Sequence, residues 1–211
     1  MYPFLKRVID IVGSLVGLVL FSPVLLLTAI AIKLNSKGPI MADVPERAGK
    51  NGKPFKMYKF RSMIVNAHEI LRTDPKLQNL YEEYKRNSYK LNYDPRVTRV
   101  GHIIRRASID EFPQLLNVLR GEMSLVGPRA YYQDELIDQQ KKYPQAHKYV
   151  VDLLKVKPGL TGPWQVSGRS AINFDKRVVM DSEYARKHSI LYDFWMIVRT
   201  VPALLSGRGA V

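Results

Sequence analysis

The chain has 211 residues, of which 46% are hydrophobic, 10% aromatic and 25% charged, and it contains no cysteine. Those fractions exclude wholesale disorder, and the missing thiols exclude a disulfide framework and a thiolate zinc site. A net charge of +14 asks for phosphate as a partner, whether in nucleic acid, in anionic lipid headgroups or in a polyphosphate substrate.

The first element is apolar. From Ile11 to Ile32 there are 22 residues without a charge, enough to cross about 30 Å of hydrocarbon as a helix. A cleaved signal peptide fits poorly, because the run is too long and no small-x-small site follows it. Two details favour a helix that enters the membrane and returns on the same face. Ser22-Pro23 lies at its middle, where proline removes a backbone hydrogen bond, so a kink is expected there. Lys6 and Arg7 before it and Lys33 and Lys37 after it draw both ends to the cytoplasmic side. An ordinary spanning helix and a buried hairpin in a soluble core stay open on this evidence. The expected division is residues 1–40 as the membrane helix with its flanks and 41–211 as a cytoplasmic domain packed on the membrane face.

Past Ile40 the chain turns polar and basic. Asn51-Gly52 between two short runs predicts a hairpin, and Phe55 to Arg61 alternates as a half-buried strand would. Residues 66–90 read as an amphipathic helix. From Ser108 a helix is expected to start, carrying Phe112, Leu115, Leu116 and Leu119 and stopping at Gly121. A further helix is expected at 131–150, a Gly- and Pro-rich loop at 156–169, and a last amphipathic helix at 187–205, packed on the core or lying in the membrane interface. The fold class is mainly α with a small β-hairpin (α+β).

Walker, dinucleotide and His-Glu-x-x-His motifs are absent, and the four histidines are too scattered for a metal cluster. The chemistry is therefore sought at Ser108-Ile109-Asp110-Glu111-Phe112-Pro113. Ser108 with Glu111 matches a capping box, and Asp110 as the cap would put Pro113 in the first turn. Against this purely structural reading stands the charge pattern. Two adjacent carboxylates near Arg105 and Arg106, with Lys59, Arg61 and Arg129 elsewhere, would hold a divalent cation and a pyrophosphate together. A carboxylate can also attack phosphorus itself.

Seven segments in order resemble the bacterial sugar transferases, the monotopic polyprenyl-phosphate phosphoglycosyl transferases that begin glycan assembly. They are Lys6-Arg7-Val8-Ile9-Asp10, Ser22-Pro23, Tyr58-Lys59-Phe60-Arg61-Ser62-Met63, Ser108 to Gln114, Arg120 to Arg129, Lys157-Pro158-Gly159-Leu160-Thr161-Gly162 and Trp164-Gln165-Val166-Ser167-Gly168-Arg169. The resemblance covers nearly the whole chain. It implies a magnesium-dependent, two-step transfer of a sugar phosphate from a UDP-sugar to polyprenyl phosphate, usually undecaprenyl phosphate, with Asp110 as nucleophile and Glu111 binding metal or handling a proton. It further implies that Lys59, Arg61, Arg105, Pro128 and Arg129 cradle phosphates and that Thr161, Gln165 and Arg169 help seat the donor, with Asp181 as an additional acidic position. A place on the cytoplasmic face of the bacterial inner membrane follows, and a homodimer stays open. Trp164 to Arg169 and Ser206-Gly207-Arg208-Gly209 look most like the galactose or glucose branch. Ala130 departs from the family, which continues Gly-Pro-Arg with proline. The competing reading is a membrane-anchored basic protein that binds nucleic acid or phospholipid without catalysis, although no nucleic-acid recognition signature is present.

Overall fold

A computed structural model of the chain describes residues 2–87, 89, 91, 93–168 and 172–205. In chain order it places α1 (Tyr2–Asn35), β1 (Arg47–Ala48), β2 (Pro54–Phe55), α2 (Ala67–Thr73), α3 (Gln78–Arg86), α4 (Arg99–Arg106), α5 (Leu115–Arg120), β3 (Ser124–Val126), α6 (Gln133–Lys142), α7 (His147–Leu153), β4 (Gly159–Thr161), α8 (Pro163–Ser167), α9 (Phe174–Lys187) and α10 (Ile190–Leu205). The expected mainly α class with a small hairpin is what forms.

Helix α1 is long and apolar enough to enter a membrane, and its polarity is inverted relative to a soluble helix. Asp10, Ser14 and Thr28 are buried, while Val12, Leu15, Val16, Val19, Leu20, Leu26, Leu27 and Leu34 are exposed. The polar stripe is buried because it faces the rest of the chain. Near its start, Arg7 donates to the Val118 and Leu119 carbonyls at 2.6 and 2.7 Å, satisfying the end of α5. Asp10 accepts from Ser124 Oγ and Leu125 N of β3, each at 3.0 Å. Further along, Gly17 lies against Leu115, Phe21 stacks on Phe112 with ring centres 4.6 Å apart, and Leu25, Ala29 and Ile32 pack with Phe60 and Ile104. The helix continues through Pro23, and Ser22 Oγ donates to the Val19 carbonyl at 2.8 Å. At about 1.5 Å per residue α1 is roughly 50 Å long, and it is held against the domain from Arg7 to Ile32.

The hairpin forms as expected. Arg47 pairs with Phe55 and Ala48 with Pro54, and Asn51 (φ 58°) and Gly52 (φ 75°) supply the left-handed turn between them. The strand expected over residues 55–61 ends early. Met41 bridges Phe60, and the flanking bonds are Ala42 N to Lys59 O and Arg61 N to Ile40 O. Two expected helices break at prolines. Residues 66–90 split into α2 and α3, because Asp74 accepts from Lys76 N and Pro75 opens a separate 3-10 turn. Residues 131–150 split into α6 and α7 at Pro144.

A second sheet was not expected from sequence. β3 and β4 pair in parallel, Ser124 with Gly159 and Val126 with Thr161, with β4 inside what reads as a Gly- and Pro-rich loop. Both strands are too short to show an alternating pattern. Close backbone approach is the reason for the glycines: a Cβ on Gly127 would lie 2.5 Å from the Lys157 carbonyl oxygen. Helix α9 was also missed. It packs on α7 through a core of Tyr131, Leu136, Val150, Leu153, Phe174 and Val178.

Candidate active site

Asp110 lies in a 3-10 turn, Ile109–Gln114, that leads into α5. Ser108 before it has φ 55°, ψ 22° and makes no side-chain cap hydrogen bond, so the capping box expected from Ser108 and Glu111 does not form. Pro113 fits because a short 3-10 turn tolerates its missing N–H. The turn is fixed from both sides: Phe60 N donates to the Asp110 carbonyl at 3.0 Å, and Phe112 stacks on Phe21 of α1. The carboxyl-bearing turn is therefore seated directly on the apolar helix.

The Asp110 carboxyl is buried, 2% exposed, and Lys59 Nζ lies 3.0 Å from Oδ2 and 3.3 Å from Glu111 Oε1. Oδ2 still lacks an aligned hydrogen bond, so the contact with Lys59 is an ion pair rather than a directed bond. Burial pushes the Asp110 carboxyl above its ordinary value, and the Lys59 and Arg105 charges oppose that push. Burial works against the Lys59 ammonium too, but the two carboxylates outweigh it and hold it above its ordinary value. Glu111 is the more open of the two carboxylates, with a side chain 43% exposed against 3% for Asp110. The arrangement is a buried carboxylate beside an accessible one, both under one ammonium.

The other expected residues divide. Arg105 stands near enough to lower both Asp110 and Lys59. Arg129 is held by its own set of neighbours. Its main-chain N donates to Asp181 Oδ2 at 3.1 Å, its guanidinium lies over the Trp164 ring at 4.8 Å, and both Glu111 and Glu135 favour its charge. Asp181 also accepts from Tyr131 OH at 2.9 Å, and burial raises its carboxyl to about 6. Pro128 accepts from Gly159 N at 2.8 Å, and Thr161 Oγ1 pairs with Thr200 Oγ1 at 2.6 Å, so both tie the loop to the parallel sheet and α10. Gln165 is half-buried beside Gly162. Arg61 points away from Asp110. It donates to Pro39 O, Ser36 Oγ and Ser36 O, so its guanidinium holds the end of α1. Arg169 and Ser206 to Gly209 lie outside the described residues.

Ala130, where the family has proline, is pinned by other means. Arg47 Nη1 donates to its carbonyl at 3.2 Å, the Arg47 guanidinium lies 3.3 Å from the centre of the Tyr132 ring, and Ala48 N donates to Tyr131 O. Glu135 and Arg177 were missed altogether. Both are fully buried near Arg129, yet in sequence Glu135 reads as an ordinary charge in the helix expected at 131–150, and Arg177 lies where no helix was expected. Only the tertiary packing shows them turned inward.

The pattern of the family described as "Bacterial sugar transferase" matches residues 1–207. The chain belongs to the bacterial sugar transferase family. Among curated members it is 42% identical over 211 residues to the "UDP-galactose-lipid carrier transferase" of Erwinia amylovora, covering 98% of this chain and 42% of that protein. It is 41% identical over 211 residues to the "Undecaprenyl-phosphate galactose phosphotransferase" of Salmonella typhimurium, covering 98% of this chain and 42% of that protein. It is 41% identical over 209 residues to the "Exopolysaccharide production protein ExoY" of Rhizobium meliloti, covering 97% of this chain and 87% of that one. The sugar transferase chain thus spans less than half of the first two relatives and most of the third.

Proposed function

We propose that this chain is a phosphoglycosyl transferase that moves a hexose 1-phosphate, galactose or glucose, from a UDP-sugar to undecaprenyl phosphate in glycan synthesis. The observation that carries the reading is the buried Asp110 carboxylate, paired with Lys59 on a turn seated against the apolar face of α1. The names of the relatives support the substrate class.

In this reading an Asp110 oxygen attacks the sugar-bearing phosphorus of the donor. The phosphorus–oxygen bond to the second phosphate breaks, UMP departs with the electron pair, and a phosphosugar stays on Asp110 as an acyl phosphate. An oxygen of undecaprenyl phosphate then attacks the same phosphorus, restoring the carboxylate and forming the lipid diphosphate sugar. The Lys59 charge favours the ionised form of Asp110 against the opposing effect of burial, and the ionised form is what a carboxylate nucleophile requires. Arg105 and Arg129 flank the pair and neutralise donor phosphates.

Magnesium fits the donor set. Asp110 Oδ2 is a buried oxygen without an aligned partner and Glu111 is open, and such an ion commonly takes one or two carboxylates plus phosphate oxygens. When bound it would neutralise the pyrophosphate. No group of three His, Cys, Asp or Glu is found among the described residues, so substrate oxygens would complete the shell.

The outward apolar residues of α1 would lie in lipid, together with Leu191, Phe194, Trp195, Val198 and Val201 of α10. A helix held against a polar domain over nearly its whole length cannot leave that domain behind on one side of a bilayer. This supports a monotopic, re-entrant placement, with the domain on the cytoplasmic face of the inner membrane.

The test is UMP release across a UDP-sugar panel with undecaprenyl phosphate and magnesium, with intact-mass detection of the phosphosugar adduct. Asp110→Asn should fold, form no adduct and release no UMP. Full activity in that variant rejects Asp110 as nucleophile. Single cysteines replacing Tyr2 and Lys37 should both be labelled only from the cytoplasmic side, and periplasmic labelling at either rejects re-entry.

A further inference from the structure

Around Arg129 lies a second group of buried charges that the transfer chemistry does not use. Glu135 of α6 and Arg177 of α9 are both 0% exposed. Arg177 Nη1 stands 3.6 Å from Glu135 Oε1, beyond hydrogen-bond reach. Neither Glu135 oxygen and none of the three Arg177 nitrogens has a hydrogen-bond partner among the described residues. The same is true of Asp181 Oδ1, Arg129 Nε and Gln165 Oε1. Aromatic rings join them into one group: the Arg177 guanidinium lies 5.5 Å from the Trp164 ring and 5.6 Å from Tyr131, and that of Arg129 lies 4.8 and 5.9 Å from the same rings.

Folded proteins satisfy nearly all their buried polar atoms, so this many orphans in one place mark a site for a polar ligand or for water. Charge balance narrows the ligand. Two guanidiniums face two carboxylates, so the group is close to neutral. A phosphate here would face both Glu135 oxygens, and a cation would face both arginines. A neutral group carrying donors and acceptors together meets every orphan at once. Its N–H or O–H groups would serve Glu135, Asp181 Oδ1 and Gln165 Oε1, and its oxygens would accept from Arg177. Arg129 joins this group to the Asp110 pair: it shares the Trp164 and Tyr131 rings with Arg177, its main-chain N donates to Asp181, and both Glu111 and Glu135 favour its charge.

We propose that Glu135 and Arg177, with Gln165 and Asp181 Oδ1, recognise the neutral polar end of the donor, and that Arg129 is the wall shared with the phosphate site. Two parts of a UDP-sugar have this chemistry, the uracil base and the sugar hydroxyls. The inference rests on the UDP-sugar reading above, and it makes Glu135 and Arg177 specificity-determining residues for that reaction.

The experiment compares binding of UDP and of UDP-glucose or UDP-galactose to the intact chain in detergent micelles by calorimetry. Glu135→Gln is near-isosteric and removes half of the acceptor pair. The double variant Glu135→Leu with Arg177→Met removes both charges together, and such replacements of a buried ion pair are often neutral or stabilising. Both variants should bind the UDP-hexose at least tenfold more weakly, with the melting temperature of the double variant at or above that of the parent. Equal weakening of UDP assigns the site to uracil, whereas weakening of the UDP-hexose alone assigns it to the sugar. Parent-like binding of both ligands by both variants overturns the proposal and leaves a buried structural ion pair. Should the double variant fail to fold, Glu135→Gln decides alone. A parent chain that binds no UDP-hexose removes the donor reading itself and this proposal with it, a result distinct from failure of the variants alone.

Discussion

Asp10 immediately precedes the uncharged run of α1, and its replacement by alanine tests whether α1 docks on the domain as described. The Asp10 carboxylate is 2% exposed and accepts from Lys6 Nζ, Ser124 Oγ and Leu125 N, each at 3.0 Å. Alanine leaves the Ser124 hydroxyl and the Leu125 N–H without an acceptor, while Lys6 keeps Asp193 at 3.2 Å. Each buried orphan costs about 1–3 kcal/mol, so Asp10→Ala should destabilise by roughly 4 kcal/mol. For a chain of this size that lowers the melting temperature by about 8–16 °C. Asp10→Asn keeps an oxygen for Ser124 and Leu125 and loses mainly the Lys6 charge pair, so roughly 1 kcal/mol and 2–4 °C are expected. Thermal unfolding in detergent, followed by tryptophan and tyrosine fluorescence, measures both. If Asp10 faced lipid instead, removing its charge would leave stability unchanged or raise it. An alanine variant melting within 2 °C of the parent, or falling no further than the asparagine variant, refutes the docking argument.

Asp181 predicts a pH effect. Its carboxyl is raised from 3.8 to about 6 chiefly by burial, against the opposing bonds from Arg129 N and Tyr131 OH and the charges of Arg177 and Arg129. Between those two values the folded chain holds a proton that the unfolded chain has lost, so this carboxyl favours folding at low pH and its contribution declines as pH rises from about 4 to 6. Asp181→Asn should remove that decline, a difference of about 3 kcal/mol across the window, and unfolding curves of the two proteins that run parallel from pH 4 to 7 would refute it. Arg61→Lys should lower the melting temperature by several degrees, because lysine cannot meet Ser36 and Pro39 together, with little change in donor KM; a large KM change at constant stability would instead return Arg61 to the phosphate site. Gly127→Ala forces a methyl against the Lys157 oxygen and Gly159 nitrogen at 2.5 and 2.7 Å, so it should cost about 1–3 kcal/mol and reduce UMP release by displacing Arg129; a fully active, equally stable variant would show that the β3–β4 contact can yield.

What could be read from sequence followed from local physics. Asn51-Gly52 announced its turn, Gly121 (φ 82°) its helix end, and the apolar run its helix, because each depends on residues within a turn of one another. The Asp110-Glu111 pair stood out by charge, but its local reading as a capped helix start did not hold, since Ser108 adopts a left-handed conformation and the turn is 3-10. The β3–β4 pair was illegible because its partners are 35 residues apart and each strand has three residues. Arg61 in a basic run and Glu135 and Arg177 on helices carry no local sign of where they point. Charge type is visible in a sequence; the direction of a long side chain is set by packing.

The docking of α1 also bears on the order in which the chain assembles. Its polar stripe leaves the ribosome before the domain it docks on, so Arg7 waits for carbonyls 111 and 112 residues later, Asp10 for Ser124, and Tyr2 and Lys6 for Asp193. Contacts so distant in sequence form late and slowly. Helix α1 is therefore completed after the segments it docks on, and until α10 has been synthesised Tyr2 and Lys6 lack their partner Asp193. A ribosome stalled before residue 193 would hold an apolar helix with an unfinished polar side, the state most exposed to misassembly during synthesis.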